Sequence, residues 1–234
     1  MLTTFSDFTS IPVLWLQIAI TAIWVLLILL IAWVVNRFAD KPEIVRKIVH
    51  IGTGNVILLA WWLDIPASVG ITASILASAI TLLSYRLPIL PGINSVGRQS
   101  FGTFFYSVSF GILVASFWYL QKPQYAALGI LIMTWGDGLA ALIGQRFGRH
   151  KYKVFGTQKS WEGSLTMMLV SYFISILILV GTQGNTWQTW LISLVVAFIA
   201  TVLEAFSFLG IDNLTVPLGS AALAFFLSQL VLNY

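Results

Sequence analysis

Asp137 stands between two glycines in the apolar stretch TWGDGLAALIG, residues 134–144, and the next basic residue, Arg146, lies nine positions on. A lone carboxylate at membrane depth costs about 3 kcal/mol or more unless something uses it. Polyphosphates arrive with magnesium, which is held by one or two carboxylates together with phosphate oxygens and water. Asp137 suits that task, with Gly136 and Gly138 leaving room for metal and nucleotide beside the backbone. A proton-relay or ion-pathway aspartate is the rival reading. Gly136, Ala140 and Gly144 also form a small-xxx-small stripe that permits close helix packing, which explains the glycines but not the acid.

Three further segments carry polar chemistry. In GQRFGRHKYKVFGTQKSWEGS, residues 144–164, the five basic residues Arg146, Arg149, Lys151, Lys153 and Lys159 precede an apolar run. Its GTQKS is not a P-loop, because Gln158 and Lys153 stand where glycines are needed and no strand is expected before it. Ser160 is placed to cap the following helix, whose exposed N–H groups would then face an anion beside Lys159. This is a candidate phosphate site, and its alternative is a basic loop with a serine cap. In KPEIVRKIVHIGTGN, residues 41–55, Pro42 fits an early helical position. Helical spacing then aligns Glu43, Arg46 or Lys47, His50 and Gly54. An i,i+4 Glu43–Lys47 pair is the simple reading of the charges, whereas His50 lies just inside an apolar segment. In LEAFSFLGIDNLTVPLGSA, residues 203–221, Glu204 needs a basic partner from a loop. Pro217 suits a helix start capped by Asn213 or Thr215. Asp212 is either at the positive end of that helix dipole or a second metal carboxylate.

The elements that must position these residues are membrane helices. Charged residues make up 9% of the 234 and hydrophobic ones 59%, against about 25% charged in soluble domains. A helix needs about 20 apolar residues to cross the hydrocarbon core. Eight segments qualify: 14–35, 47–63, 67–85, 102–120, 124–145, 162–181, 188–208 and 214–232. Short connections imply one domain over 1–234, an all-α polytopic bundle. No secretory signal peptide is evident, since the first run is long enough to span. The absence of cysteine excludes disulfides and thiolate metal sites. With the N-terminus outside, one side collects Arg37, Lys41, Arg46, Lys47, Arg86, Arg98, Arg146, Arg149, Lys151, Lys153 and Lys159, and the other only Lys122. That bias places both termini on the non-cytoplasmic side. It also explains the net charge of +4 without nucleic acid. Glu43, His50, Asp137, Glu162, Glu204 and Asp212 fall on the same cytoplasmic face. Topology does not require acids there, and a charged ligand bridged by metal does.

EIVRKIVHIGTGN, WGDGLAALIGQRFGRHKYKVFGTQKSWEGSLTM and GIDNLTVPLGSA together resemble the phytol kinase and farnesol kinase group. That group belongs with dolichol kinases among CTP-dependent polyprenol kinases and is related to the CDP-diacylglycerol synthases. The resemblance covers nearly the whole chain, and its middle motif is the specific part. It implies phosphorylation of a long-chain isoprenoid alcohol, drawn from the lipid phase, by CTP with Mg2+. Asp137 then corresponds to the magnesium-binding aspartate, Lys159 and Ser160 to the phosphate-contacting pair, and Glu162 lies beside them. The paired C-terminal aspartates of the CDP-diacylglycerol synthases are missing, since residues 210–217 offer only Asp212 and Asn213.

Phosphoryl transfer rests on positioning and charge stabilisation. On the implied activity Asp137 holds the metal with Asp212 as a possible second carboxylate. Lys159, Lys151, Lys153, Arg46 and Lys47 serve the phosphates. His50 or Asp212 accepts the hydroxyl proton. The alcohol enters between helices and the nucleotide from the cytoplasm. A lipid cytidylyltransferase, a proton-coupled transporter and a membrane scaffold are the competing readings.

Overall fold

Backbone N–H and C=O groups find no partner in hydrocarbon, so apolar stretches of this length cross a membrane as helices. The computed structural model describes residues 13–39, 42–85, 87 and 101–232, and eight spans lie among them. Lys41, Arg86 and Arg98 fall outside the described residues. The first span is α1 (Val13–Ala39), and the second is α2 (Pro42–Gly54) with α3 (Val56–Trp62), broken at Asn55. Then come α4 (Ala67–Ser84) and α5 (Gly102–Tyr119). The fifth span joins α6 (Pro123–Leu131), a π-helical turn (Ile132–Asp137) and α7 (Gly138–Phe147). A hairpin of β1 (Lys151–Val154) and β2 (Thr157–Ser160) precedes α8 (Trp161–Gln183), α9 (Trp187–Ala205) and α10 (Asp212–Leu232).

The span that carries Asp137 is the axis of the bundle. Ala126, Ala127, Leu128, Ile130, Ile132 and Met133 are wholly buried, packed by α5, α8 and α10. Small residues permit this closeness: a Cβ on Gly129 would strike the Pro217 carbonyl of α10, and one on Gly144 would meet the Ser160 hydroxyl and Gly163. The helix α1 lies at the rim, its apolar side chains largely exposed to lipid. It is pinned to the second span by Trp24, whose Nε1 donates to the Gly52 carbonyl at 2.8 Å.

The expected spans all appear, with several ends moved; the first runs on to Ala39 rather than stopping at 35. The second starts at Pro42 rather than 47, because proline's missing N–H costs nothing in a first turn. The seventh stops at Ala205, short of 208. The eighth starts at Asp212, so Pro217 lies inside α10 instead of opening it. Its first turn closes ahead of the proline, with the Leu214 and Thr215 amides donating to the Ile211 carbonyl, both at 2.9 Å. Among the described residues the one departure from an all-α chain is the hairpin, in a segment expected to be loop. Lys151 pairs with Ser160 and Val154 with Thr157. Phe155 (φ 45°) and Gly156 (φ 77°) form its two-residue turn, with positive φ at both positions as a type I′ turn requires.

Candidate active site

The helix α2 presents Lys47, His50 and Gly54 to the π-helical turn, as helical spacing expects. The Lys47 ammonium donates to Asp137 Oδ2 at 2.6 Å and points at the Asp137 carbonyl at 3.4 Å. The lysine side chain is 5% exposed and the aspartate 16%. The carboxylate that looked isolated in sequence is therefore half of a buried ion pair. Glu43 does not pair with Lys47; it takes Arg46 one position earlier, at 2.7 Å, which leaves Lys47 free to face inward. His50 Nε2 lies 3.9 Å from Asp137 Oδ2, buried and without a hydrogen-bond partner.

The wide turn at Ile132–Asp137 sets this geometry. Such π turns recur at functional sites, where the extra residue re-aims the side chains around it. Thr134 from the turn meets the Tyr106 hydroxyl at 2.8 Å, and the Tyr106 ring packs 4.7 Å from His50. Trp135 Nε1 donates to Asn55 Oδ1 at 3.0 Å, at the break between α2 and α3. Gly54 fits beneath, where any Cβ would overlap both Thr134 and the Tyr106 hydroxyl. Room expected beside the glycines flanking Asp137 is filled, Gly136 lying against Met167 and Ser171 and Gly138 against Ile51.

A second ionic cluster joins the hairpin to the turn after α9. The Lys159 ammonium donates to Glu204 Oε1 at 2.5 Å, to the Glu204 carbonyl and to Ser207 Oγ at 3.0 Å. All three of its protons are used, and both side chains are about nine-tenths buried. Glu204 thus finds the loop-borne basic partner that its place in an apolar helix demanded. Asp212 lies against Ser207, close enough to Asp137, Lys159 and Arg46 to feel their charges, and its Oδ1 accepts from the Asn213 amide at 3.0 Å. The two clusters form one electrostatic unit, built from α2, the π turn, β2 and the Glu204–Asp212 segment.

Ser160 caps α8 as expected, its hydroxyl accepting from the Gly163 amide at 3.1 Å. The expected open helix N-terminus is nevertheless closed. The Trp161 amide donates to the His150 carbonyl at 3.0 Å, and Glu162 folds back to accept from the His150 amide and from its ring Nδ1 at 2.8 Å. Glu162 and Ser160 therefore tie the hairpin to the helix. Lys151 and Lys153 sit on the hairpin's exposed face, not in contact with the buried clusters. Tyr106, Thr134, Ser207 and His150 were not singled out by sequence. Tyr106 and Thr134 are polar residues inside apolar spans, a signal too common in membrane helices to mark a site.

Eight spans among the described residues, with an ionic cluster buried between several of them, define a polytopic membrane protein. The phytol kinase of Synechocystis sp. (strain ATCC 27184 / PCC 6803 / Kazusa) is 53% identical over 212 residues, which cover 90% of this chain and 91% of that protein. Phytol kinase 1, chloroplastic, of Arabidopsis thaliana is 29% identical over 81% of this chain and 68% of its own length. A probable phytol kinase, chloroplastic, of Triticum aestivum is 29% identical over 82% and 70%. The chain belongs to the phytol kinase family. No family profile and no solved structure matches it.

Proposed function

We propose that this protein transfers the γ-phosphoryl group of CTP to the hydroxyl of a long-chain isoprenoid alcohol, phytol or a near relative such as geranylgeraniol or farnesol. Its likeness to the Synechocystis phytol kinase along nearly the whole chain carries the reaction. The donor rests on the family resemblance. The paired charges at membrane depth support the chemistry, since a group of this cost is retained where it is used. The basic excess on the same side argues for a cytoplasmic site with both termini across the membrane.

Among the described residues no group of three or more His, Asp or Glu is gathered for a metal. Magnesium delivered with a nucleotide needs only one or two carboxylates and completes its shell with phosphate oxygens and water. Asp137 and Asp212, on neighbouring elements within electrostatic reach, would hold it. When bound, it neutralises the phosphates and the charge that develops on them during transfer.

The chain's own residues do the rest by exchanging partners. Lys47 leaves Asp137 for a phosphate oxygen, and Lys159 leaves Glu204 and Ser207 to reach the transferring group. Lys151 and Lys153 meet the nucleotide from the exposed side of the hairpin. His50 Nε2, buried and without a hydrogen-bond partner, accepts the hydroxyl proton of the alcohol.

The test uses purified protein, magnesium and CTP labelled on the γ-phosphate, with phytol, geranylgeraniol, farnesol and phosphatidic acid offered separately. Label on an alcohol, absent with Asp137→Asn, is the expected result. Pyrophosphate release with phosphatidic acid would make the protein a cytidylyltransferase. An absence of both turnover and nucleotide binding would leave the transporter reading.

A further inference from the structure

Two turns beside the ionic cluster are built from bulky apolar residues in the wrong conformation. Four non-glycine residues among those described have positive φ: Asp64, Gln121, Phe155 and Leu209. The two polar ones sit in the connections flanking α3 and α6. Phe155 and Leu209 lie by the ionic cluster, and each is followed by a glycine that also has positive φ, Gly156 and Gly210. A bulky residue in this region is a genuine outlier. Such strain, of order 1–3 kcal/mol each, persists where the surroundings hold it and gathers at ligand-binding sites. Both residues are exposed, Phe155 at 68%, so burial does not repay the strain.

The turn after α9 reads FSFLGI over residues 206–211, and Phe206, Phe208, Leu209 and Ile211 are all exposed. The Phe155 ring at the hairpin tip reaches across to Phe206, 6.1 Å between centroids. Phe206 stands between Glu204 and Ser207, the two residues that hold Lys159. The Leu209 carbonyl takes the Phe101 amide at 3.1 Å, and the Phe101 ring continues into Phe105. Exposed apolar side chains therefore flank the charged cluster from the hairpin tip through this turn, whose backbone meets the start of α5.

We propose that the Phe155 hairpin tip and the Phe206–Ile211 turn form the subsite that grips the isoprenyl chain of the acceptor, next to the hydroxyl presented to the ionic cluster. The inference rests on the kinase reading above, because that substrate has a polar head and an apolar chain that must leave the charged site within a few bonds. Charge and apolar surface side by side on one hairpin–turn junction match such a molecule end for end.

Phe155→Asn and Leu209→Asn test it with the folding question removed. Asparagine tolerates positive φ, and Asn-Gly is the preferred type I′ pair, so both variants should be at least as thermally stable as the parent. In the double variant the KM for phytol should rise about tenfold or more, the loss expected for uncovering one or two large apolar side chains, while the KM for CTP stays where it is. An unchanged phytol KM, or a matching rise for CTP, would overturn the subsite. A second measurement does not need turnover. Protein with p-benzoylphenylalanine at position 155, in phosphatidylcholine nanodiscs, is irradiated with tritiated phytol. Saturable crosslinking that unlabelled phytol displaces supports the subsite, even if the parent protein phosphorylates nothing and the kinase reading falls. Crosslinking to phosphatidylcholine that phytol does not reduce would make the hairpin tip a bilayer anchor and sink the proposal.

Discussion

Replacing Asp137 by asparagine should damage the fold as well as the reaction, and the two effects can be separated. At an effective dielectric of about 20, unit charges 2.6 Å apart attract by roughly 6 kcal/mol. Much of this offsets the cost of keeping both groups from water, so the intact pair stabilises little. Removing one member is different. Asp137→Asn leaves the Lys47 ammonium, 5% exposed, without its carboxylate, a loss of about 3–5 kcal/mol. On the scale of soluble domains of this size that lowers Tm by about 6–20 °C. Lys47→Met should cost somewhat less, because Asp137 is more exposed and keeps His50 at 3.9 Å. The double variant Lys47→Met/Asp137→Asn removes both charges and should return most of the stability. Tryptophan fluorescence during heating in nanodiscs reads all four proteins, and γ-labelled CTP with phytol reads their turnover. Asp137→Asn and the double variant should both be inactive although only the first is unstable. Additive losses of stability, or an Asp137→Asn protein that melts with the parent, would refute the buried-pair account. Activity in the stable double variant would refute a role for the carboxylate in transfer.

Three further outcomes follow from the same packing. Lys159→Met should abolish most turnover and strand Glu204, whereas Glu204→Gln should keep measurable turnover, since Lys159 retains the Glu204 carbonyl and Ser207; equal activities would return Lys159 to a structural role. Gly54→Ala, which forces a methyl into Thr134 and Tyr106, should cost about 1–3 kcal/mol and slow the reaction by shifting the ring that packs on His50. Gly181→Ala, with open space around it, is the control and should melt no lower than the parent. Ser160→Ala removes the α8 cap and should cost about 1 kcal/mol, with faster hydrogen exchange in the hairpin amides; unchanged exchange would show that the cap does not hold the hairpin.

Span number was legible because length and composition decide it: a run of about 20 apolar residues has few other fates. Span ends were less so, because Pro217 reads as a helix start to any rule based on position alone, although one closed turn before it is enough. The need of Asp137 and Glu204 for partners was also legible, since intramembrane carboxylates demand them. Their identity was not. Lys47 lies 90 residues before Asp137, and its alignment toward the aspartate depends on Glu43 choosing Arg46. The π turn leaves the apolar pattern of its span intact, so no periodicity announces it. The hairpin stayed hidden because its strands are four residues each and its turn is Phe-Gly, not the Asn-Gly that signals such a turn.

Cost at depth also governs how charges can be arranged inside this bundle. A pocket of bare lysines waiting for phosphate would be expensive in a low-dielectric bundle, as would bare carboxylates waiting for metal. Here three pairs neutralise one another, Lys47 with Asp137, Lys159 with Glu204 and Arg46 with Glu43, while Asp212 is held by hydrogen bonds from Asn213. On the proposed reading, nucleotide and magnesium arrive as a second set of opposite charges, so lysine passes to phosphate and carboxylate to metal with little change in net buried charge. The exchange asks only that the lysines swing, and the elements that hold them differ in kind. Lys47 sits on a helix packed against the site's axis, while Lys159 sits on a short hairpin whose tip touches Phe206. Lys159 is therefore the cation better placed to follow the phosphoryl group as it transfers, and Lys47 the one better placed to fix the part of the nucleotide that stays behind.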